Sequence, residues 1–243
     1  MRFDAVVFDS GGTLFENPAE RRGHDEPTCA EVWQTRFSRV AGCLQGLRLR
    51  FDPWDMEAAL KELEESLPAK YGVLYSYDKL MAELLRRLHH EPKGAWVCLL
   101  ADAYAGPRYV SWLFAGVPEM LAAIEEMSIE IHLAVNTAWC GFSMKRGLQG
   151  VGLLGYFRTR TYSSDAQLAK PDERFFRLVE KRAHLEGRRV VYVGDRIEED
   201  VKGPKAIGWA AALRLNKDNR ADAHLADYTF THSSELVAWL VEE

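Results

Sequence analysis

The chain has 243 residues, between one and two domains' worth, with 47% apolar and 28% charged residues, which excludes a disordered or fibrous protein. Lys and Arg number 31 against 36 Asp and Glu, and the net charge of −5 argues against a nucleic-acid partner, since phosphate contacts need surplus cations. No apolar run approaches the roughly 20 residues that cross a bilayer, so no membrane partner is expected. Met1-Arg2-Phe3-Asp4 lacks the start of a signal peptide, and Cys29, Cys43, Cys98 and Cys140 are scattered without a CxxC pair. A cytoplasmic protein with reduced thiols and no zinc site is the expectation.

In chain order, Ala5-Val6-Val7-Phe8 is apolar on both faces, as a central strand of a parallel sheet would be, and it stops at Asp9 before the flexible Ser10-Gly11-Gly12-Thr13 turn. Residues from about 16 to 115 carry helical patterns instead. Trp33, Phe37, Val40, Leu44 and Leu47 share one helical face. Asp52-Pro53 caps a helix expected to run through Met56, Leu60, Leu63 and Leu67 to Pro68. Leu80, Leu84 and Leu88 mark another helix and Trp96 to Tyr104 a fourth. Trp33, Trp54, Trp96 and Trp112 are expected to fill a small helical core.

Beyond residue 116 strands and helices alternate: a helix over Val117 to Met127, a strand over Ile131 to Val135, and a strand over Arg158 to Tyr162. A helix over Asp172 to His184, a strand over Val190 to Val193, a helix over Glu198 to Ile207 and a weaker strand over Trp209 to Leu215 follow. Alternation of this kind predicts a doubly wound, Rossmann-like parallel-sheet α/β core, residues 1–15 and 116–243, and the strandless stretch 16–115 reads as an α-helical insertion. Gly150 to Gly155 matches GxGxxG, but it follows a helix, so no dinucleotide site is read there.

Ligands of parallel α/β sheets bind beyond the carboxyl ends of the strands. There stand Asp9, Asn136-Thr137, Lys170 at the head of a helix, and Asp195 with Asp200 five residues on. Carboxylates gathered on one edge repel one another unless a cation intervenes, and hard oxygen ligands favour Mg²⁺. With a lysine close by, the pattern suits an anionic, phosphorylated substrate.

Phe8 to Leu14, Ser163-Ser164 through Lys170-Pro171-Asp172, and Val193-Gly194-Asp195 to Asp200 together resemble, in order and spacing, the motifs of the haloacid dehalogenase-like hydrolase superfamily. The resemblance runs from residue 3 to about 215, and the helical insertion falls where that superfamily places its type-one cap. It implies a Mg²⁺-dependent phosphatase acting on a small phosphorylated metabolite, as monomer or homodimer. In it Asp9 would form an aspartyl-phosphate and Lys170 would neutralise charge on the nucleophile and the phosphoryl group. Asp9, the Gly11 carbonyl, Asp195 and Asp200 would hold the metal.

Two positions depart from the pattern. Gly11 stands where these phosphatases carry an acid–base aspartate, a group typically worth about 10²–10⁴-fold. The Ser or Thr expected at the end of the second core strand is Val135 in the register that aligns Asn136, or Thr137 if that register slides by two. Asn136 and Thr137 then become the candidate phosphate donors, while His24, which could reach the site as a replacement acid, reads better as a solvated loop residue. A dehalogenase or phosphonate hydrolase of the same superfamily, or a weakly catalytic binding module, are the alternative readings.

Overall fold

The computed structural model describes residues 2–16 and 25–242, and His24 lies outside them. The chain divides into two compact units: Met1–Asn17 with Val110–Asn136 and Gly152–Glu243, and Pro18–Tyr109 with Thr137–Val151.

The first unit is built on six parallel strands: β1 (Ala5–Phe8), β2 (Glu130–Val135), β3 (Thr159–Tyr162), β4 (Val190–Gly194), β5 (Ala210–Arg214) and β6 (Tyr228–Phe230). Their order across the sheet is β3-β2-β1-β4-β5-β6. The first strand is thus central, paired with β2 at Phe8↔Leu133 and with β4 at Phe8↔Val193. Its four apolar residues are wholly buried, as a strand covered on both faces requires. Ala5, Val7 and Tyr192 share one sheet face with Phe175, Phe176 and Val179 of an amphipathic helix, Glu173–Ala183. The helix Val117–Glu126 and the carboxy-terminal helix Ser233–Val241 belong to the same unit, the latter anchored by Trp239 stacked on Tyr228 at 4.6 Å. The edge strand β6 has only three residues, too short for periodicity to announce it.

The second unit is helical: α1 (Cys29–Gln34), α2 (Arg36–Gly46), α3 (Pro53–Tyr71), α4 (Tyr77–Arg87) and α5 (Gly94–Ala105), inserted between β1 and β2, together with the helix Gly141–Gly150. Leucines 44, 60, 63, 84 and 100 form its core with Val40 and Tyr104. Burial of each such side chain contributes roughly 1.5–3 kcal/mol. Asp52 caps α3 as its sequence predicts, accepting from the amides of Trp54 and Asp55. Three details differ from expectation. The Trp33–Leu47 pattern breaks at Thr35 into two helices. Pro68 lies inside α3, which runs on to Tyr71. Trp33 and Trp54 are 42% and 82% exposed, so they do not fill the helical core, and the buried Trp112 belongs to the α/β unit.

Candidate active site

At the carboxyl edge of the sheet the backbone of Asp9 continues the β1–β4 ladder, its N–H donating to Val193 at 2.8 Å. The chain then turns back at once, with the amides of Leu14 and Phe15 donating to the Ser10 carbonyl. Gly12 makes this turn at φ +74, and a Cβ there would sit 2.3 Å from Asp195 Oδ2. Only glycine satisfies both the left-handed backbone and that close approach.

Asp195 follows β4 directly, and Asp200 is carried back under it by a wide π-helical turn, Ile197–Lys202. That return is possible because Gly194 has no side chain: a Cβ on it would lie 2.3 Å from the Asp200 Cβ. Asp200 is completely buried and both its oxygens are engaged. Oδ2 accepts from the amides of Asp195 and Arg196, each at 3.0 Å, and Oδ1 accepts from Lys170 at 2.6 Å. Lys170, also buried, donates to Asp9 Oδ1 at 2.7 Å and to the Tyr192 hydroxyl at 2.7 Å.

Asn136 is part of the same arrangement through its amide. Its Nδ2 donates to the Lys170 carbonyl and its Oδ1 accepts from the Lys170 N–H, both at 2.9 Å, so the side chain grips the lysine's backbone. A cavity of about 300 Å³ is lined by Asp9, Gly11, Gly12, Asn136, Asp195, Arg196 and Glu199. Thr137 groups with the helical unit, where its hydroxyl accepts from the Trp139 amide at 3.0 Å and so closes a local turn. β2 ends at Val135, with Asn136 the next residue.

The electrostatics follow from burial. Desolvation pushes Asp9 up to about 7, against the pull of Lys170 and with the help of Asp200 and Asp195. Asp195 is pushed up to about 6, again first by burial and then by Asp200. Burial alone would depress Lys170, but Asp200 and Asp9 overcome it and hold the ammonium well above its ordinary value. Asp9 and Asp200 therefore share one lysine, and Asp195 brings a third carboxylate beside them. Oxygens of Asp9, Asp195 and Asp200 lie within 4.8 Å of one another, and Asp195 Oδ1 is buried without a hydrogen-bond partner. Excess negative charge, hard oxygen donors and an orphaned carboxylate oxygen fit a divalent cation such as Mg²⁺.

Sequence patterning does not single out three further residues. Tyr192 reads as core within the Val190 to Val193 run. Asn216 donates to Asp195 Oδ2 at 3.3 Å, and Asn219 donates to the Asp195 and Arg214 carbonyls at 2.8 Å each. The polar turn Asn216-Lys217-Asp218-Asn219 directly after a strand, at the ligand-binding edge, is the signal that could find the two asparagines.

A parallel sheet that gathers acids and a lysine at its carboxyl edge, and takes a long helical insertion after its first strand, defines the class of capped α/β hydrolases. Residues 3–208 match the haloacid dehalogenase-like hydrolases, and the chain belongs to that family. It is 22% identical over 241 residues to the glyceraldehyde 3-phosphate phosphatase of Methanopyrus kandleri, covering 96% of this chain and 95% of that one. A glyceraldehyde 3-phosphate phosphatase of Methanocaldococcus jannaschii is 33% identical over 123 residues, 49% of this chain and 54% of the relative, so that alignment spans about half of each protein. Among solved structures, the magnesium-bound HAD-hydrolase YfnB of Bacillus subtilis superposes with a TM-score of 0.57 at 17% identity, over 99% of both chains, a likeness of fold.

Proposed function

We propose that the protein is a Mg²⁺-dependent phosphatase acting on a small phosphorylated metabolite through an aspartyl-phosphate on Asp9. The observation that carries this reading is that Lys170 binds Asp9 and Asp200 in a cluster of three acids whose third member, Asp195, keeps a buried oxygen without a hydrogen-bond partner. Asp9, Asp195 and the Gly11 carbonyl would hold the metal, with Asp200 in support through its grip on the Asp195 amide. Bound there, the cation would neutralise charge on the transferring phosphoryl group. Asp9 supplies the carboxylate that attacks phosphorus, and Lys170 keeps it oriented while adding positive charge where the transition state is negative. The backbone of Lys170 is held in turn by Asn136. The names of both relatives support a small phosphorylated substrate.

Gly11 offers no proton to a departing alkoxide, so the reading favours leaving groups that need none. The deciding experiment is hydrolysis of an activated aryl phosphate with and without Mg²⁺, by wild type and Asp9→Asn. Metal-dependent turnover that disappears in the variant is the expected result. Halide release from a 2-haloacid without metal, and no phosphate release, would transfer the assignment to a dehalogenase. Equal, negligible rates in both proteins would leave a binding module.

A further inference from the structure

Central strands of a parallel sheet are lined with aliphatic residues, and β4 has valine at 190, 191 and 193. Position 192 is a tyrosine, buried to the last atom. A phenol placed there is costly unless its oxygen is fully hydrogen-bonded. The ring lies on the sheet face that carries Phe176, edge-on to it at 5.7 Å, and Phe176 reaches that place over the bare Cα of Gly203. Shape alone would be served as well by phenylalanine.

The hydroxyl has a defined polarity. A phenol has one proton to give, and Tyr192 gives it to the Ala134 carbonyl at 2.6 Å. Towards Lys170 the oxygen is therefore an acceptor. An ammonium has three N–H bonds and no lone pair, and those of Lys170 have three partners: Asp9, Asp200 and Tyr192. Two of the partners are carboxylates competing for the same flexible side chain. The third is neutral and anchored by a main-chain carbonyl of β2.

We propose that Tyr192 is a positioning residue, whose phenol oxygen fixes the Lys170 ammonium on Asp9 and prevents it from swinging wholly to Asp200. The geometry stands by itself, whereas the kinetic consequence rests on the phosphatase reading. Asn136 holds the lysine's backbone and Tyr192 its head, so the long stem between them is tethered at both ends. The proposal concerns orientation, and it assigns Tyr192 no contact with substrate.

The test is Tyr192→Phe, which keeps the ring and removes one oxygen. Steady-state hydrolysis of an activated aryl phosphate with Mg²⁺ is expected to lose about tenfold in kcat, the worth of one hydrogen bond to a charged group, with KM changed less than about twofold. The second readout needs no activity: ¹H–¹⁵N spectra of the lysine ammonium groups in metal-free protein. A fully bonded, buried ammonium exchanges slowly, so wild type should show a Lys170 signal, absent from Lys170→Met, with cross-relaxation to the Tyr192 ring. In Tyr192→Phe that signal should broaden or vanish. A Phe variant that keeps the ammonium signal at wild-type exchange rate, with kcat unchanged, overturns the proposal. If the Phe variant fails to fold, wild-type spectra decide: no slow ammonium beside the Tyr192 ring overturns it as well. A wild type without phosphatase activity would refute the functional reading, and the ammonium spectra would still decide whether Tyr192 holds the lysine.

Discussion

Each unit contains an ionic cluster, half-buried in the helical unit and buried in the α/β unit, and the two are made of similar groups in different proportion. In the helical unit Glu64 accepts from Arg36 through Nε and Nη2, at 2.7 and 3.1 Å, and from the Tyr104 hydroxyl. One carboxylate meets one guanidinium, and both carboxylate oxygens are used. In the α/β unit Lys170 bonds Asp9 and Asp200, Asp195 adds a third carboxylate, the neighbouring Arg196 is already paired with Glu199, and an oxygen of Asp195 is left over. The first cluster is complete as it stands, which is what a packing element requires. The second is complete only with added positive charge, and such an imbalance is sustained by folding where a ligand repays it. Charge balance, more than burial or the presence of a salt bridge, separates the candidate active site from the structural cluster.

The largest effect should come from removing the lysine of the unbalanced cluster. Lys170→Met leaves Asp9 and Asp200 facing each other in the interior, and the loss is expected at about 3–5 kcal/mol, the range for breaking a buried ion pair from one side. Urea denaturation of metal-free protein would measure it. A variant as stable as wild type would mean that the acids are not ionised together, and the contrast between the two clusters would collapse.

His132 sharpens the comparison because it is a buried titratable group outside either cluster. It lies on β2 at 1% exposure, with Nδ1 2.9 Å from the Thr159 hydroxyl and Nε2 3.5 Å from Glu130. Burial pushes it down to about 4 from 6.5. Between those values the unfolded chain holds the proton and the folded chain does not, so stability falls as pH drops from 6.5 towards 4 and levels off below. The difference between wild type and His132→Gln isolates this from the carboxylates, and it should reach at most roughly 3–4 kcal/mol. A pH-independent difference would show that the neighbouring Glu130 accommodates the imidazolium without cost.

Metal binding tests the imbalance directly. Mg²⁺ at a hundred times its dissociation constant should stabilise wild type by about 2.7 kcal/mol by mass action. Thermal melts with and without the ion should show that shift, and Asp195→Asn should abolish it. Glu64→Gln, in the balanced cluster, should retain the shift while lowering the starting stability. Retention of the shift in both variants would mean that the ion stabilises the protein non-specifically.

Much of this is legible in the amino-acid order, for identifiable reasons. β1, β2, β4 and the Asp172 helix have strong periodicity or continuous apolar runs, and Asp9, Lys170 and Asp195 stand at element ends where the parallel-sheet rule says to look, with Asp200 five residues beyond Asp195. What escapes depends on packing. Tyr192 is one polar atom in an apolar run, and its partners are 22 and 58 residues away. Asn136 is expected as a phosphate donor, and the bidentate grip of its amide on the Lys170 peptide is a long-range match that no local pattern encodes. The short β6 and the break at Thr35 lack the length that makes periodicity informative. Trp33 and Trp54 show the opposite failure, since large apolar residues at helical spacing can still face solvent.

The smallest expected effect is the coupling between Arg36 and Glu64, and it bears most directly on what a balanced cluster is worth. Both side chains are 17% exposed, so they are partly screened, and Arg36 also lies over Trp33 and Phe37 at 4.4 and 4.2 Å. Arg36→Met alone would therefore lose ring contacts together with the ion pair. A double-mutant cycle with Glu64→Gln removes the ring term, because that term is the same in both backgrounds. The remaining coupling should be about 1 kcal/mol, favourable and modest, as expected for a bidentate pair that still touches water. A coupling near zero would make Tyr104 the principal partner of Glu64, which Tyr104→Phe would then reveal. A coupling as large as the Lys170→Met loss would mean that balance does not set the energetic stakes, and that the two clusters differ in what they bind and not in how firmly they are held.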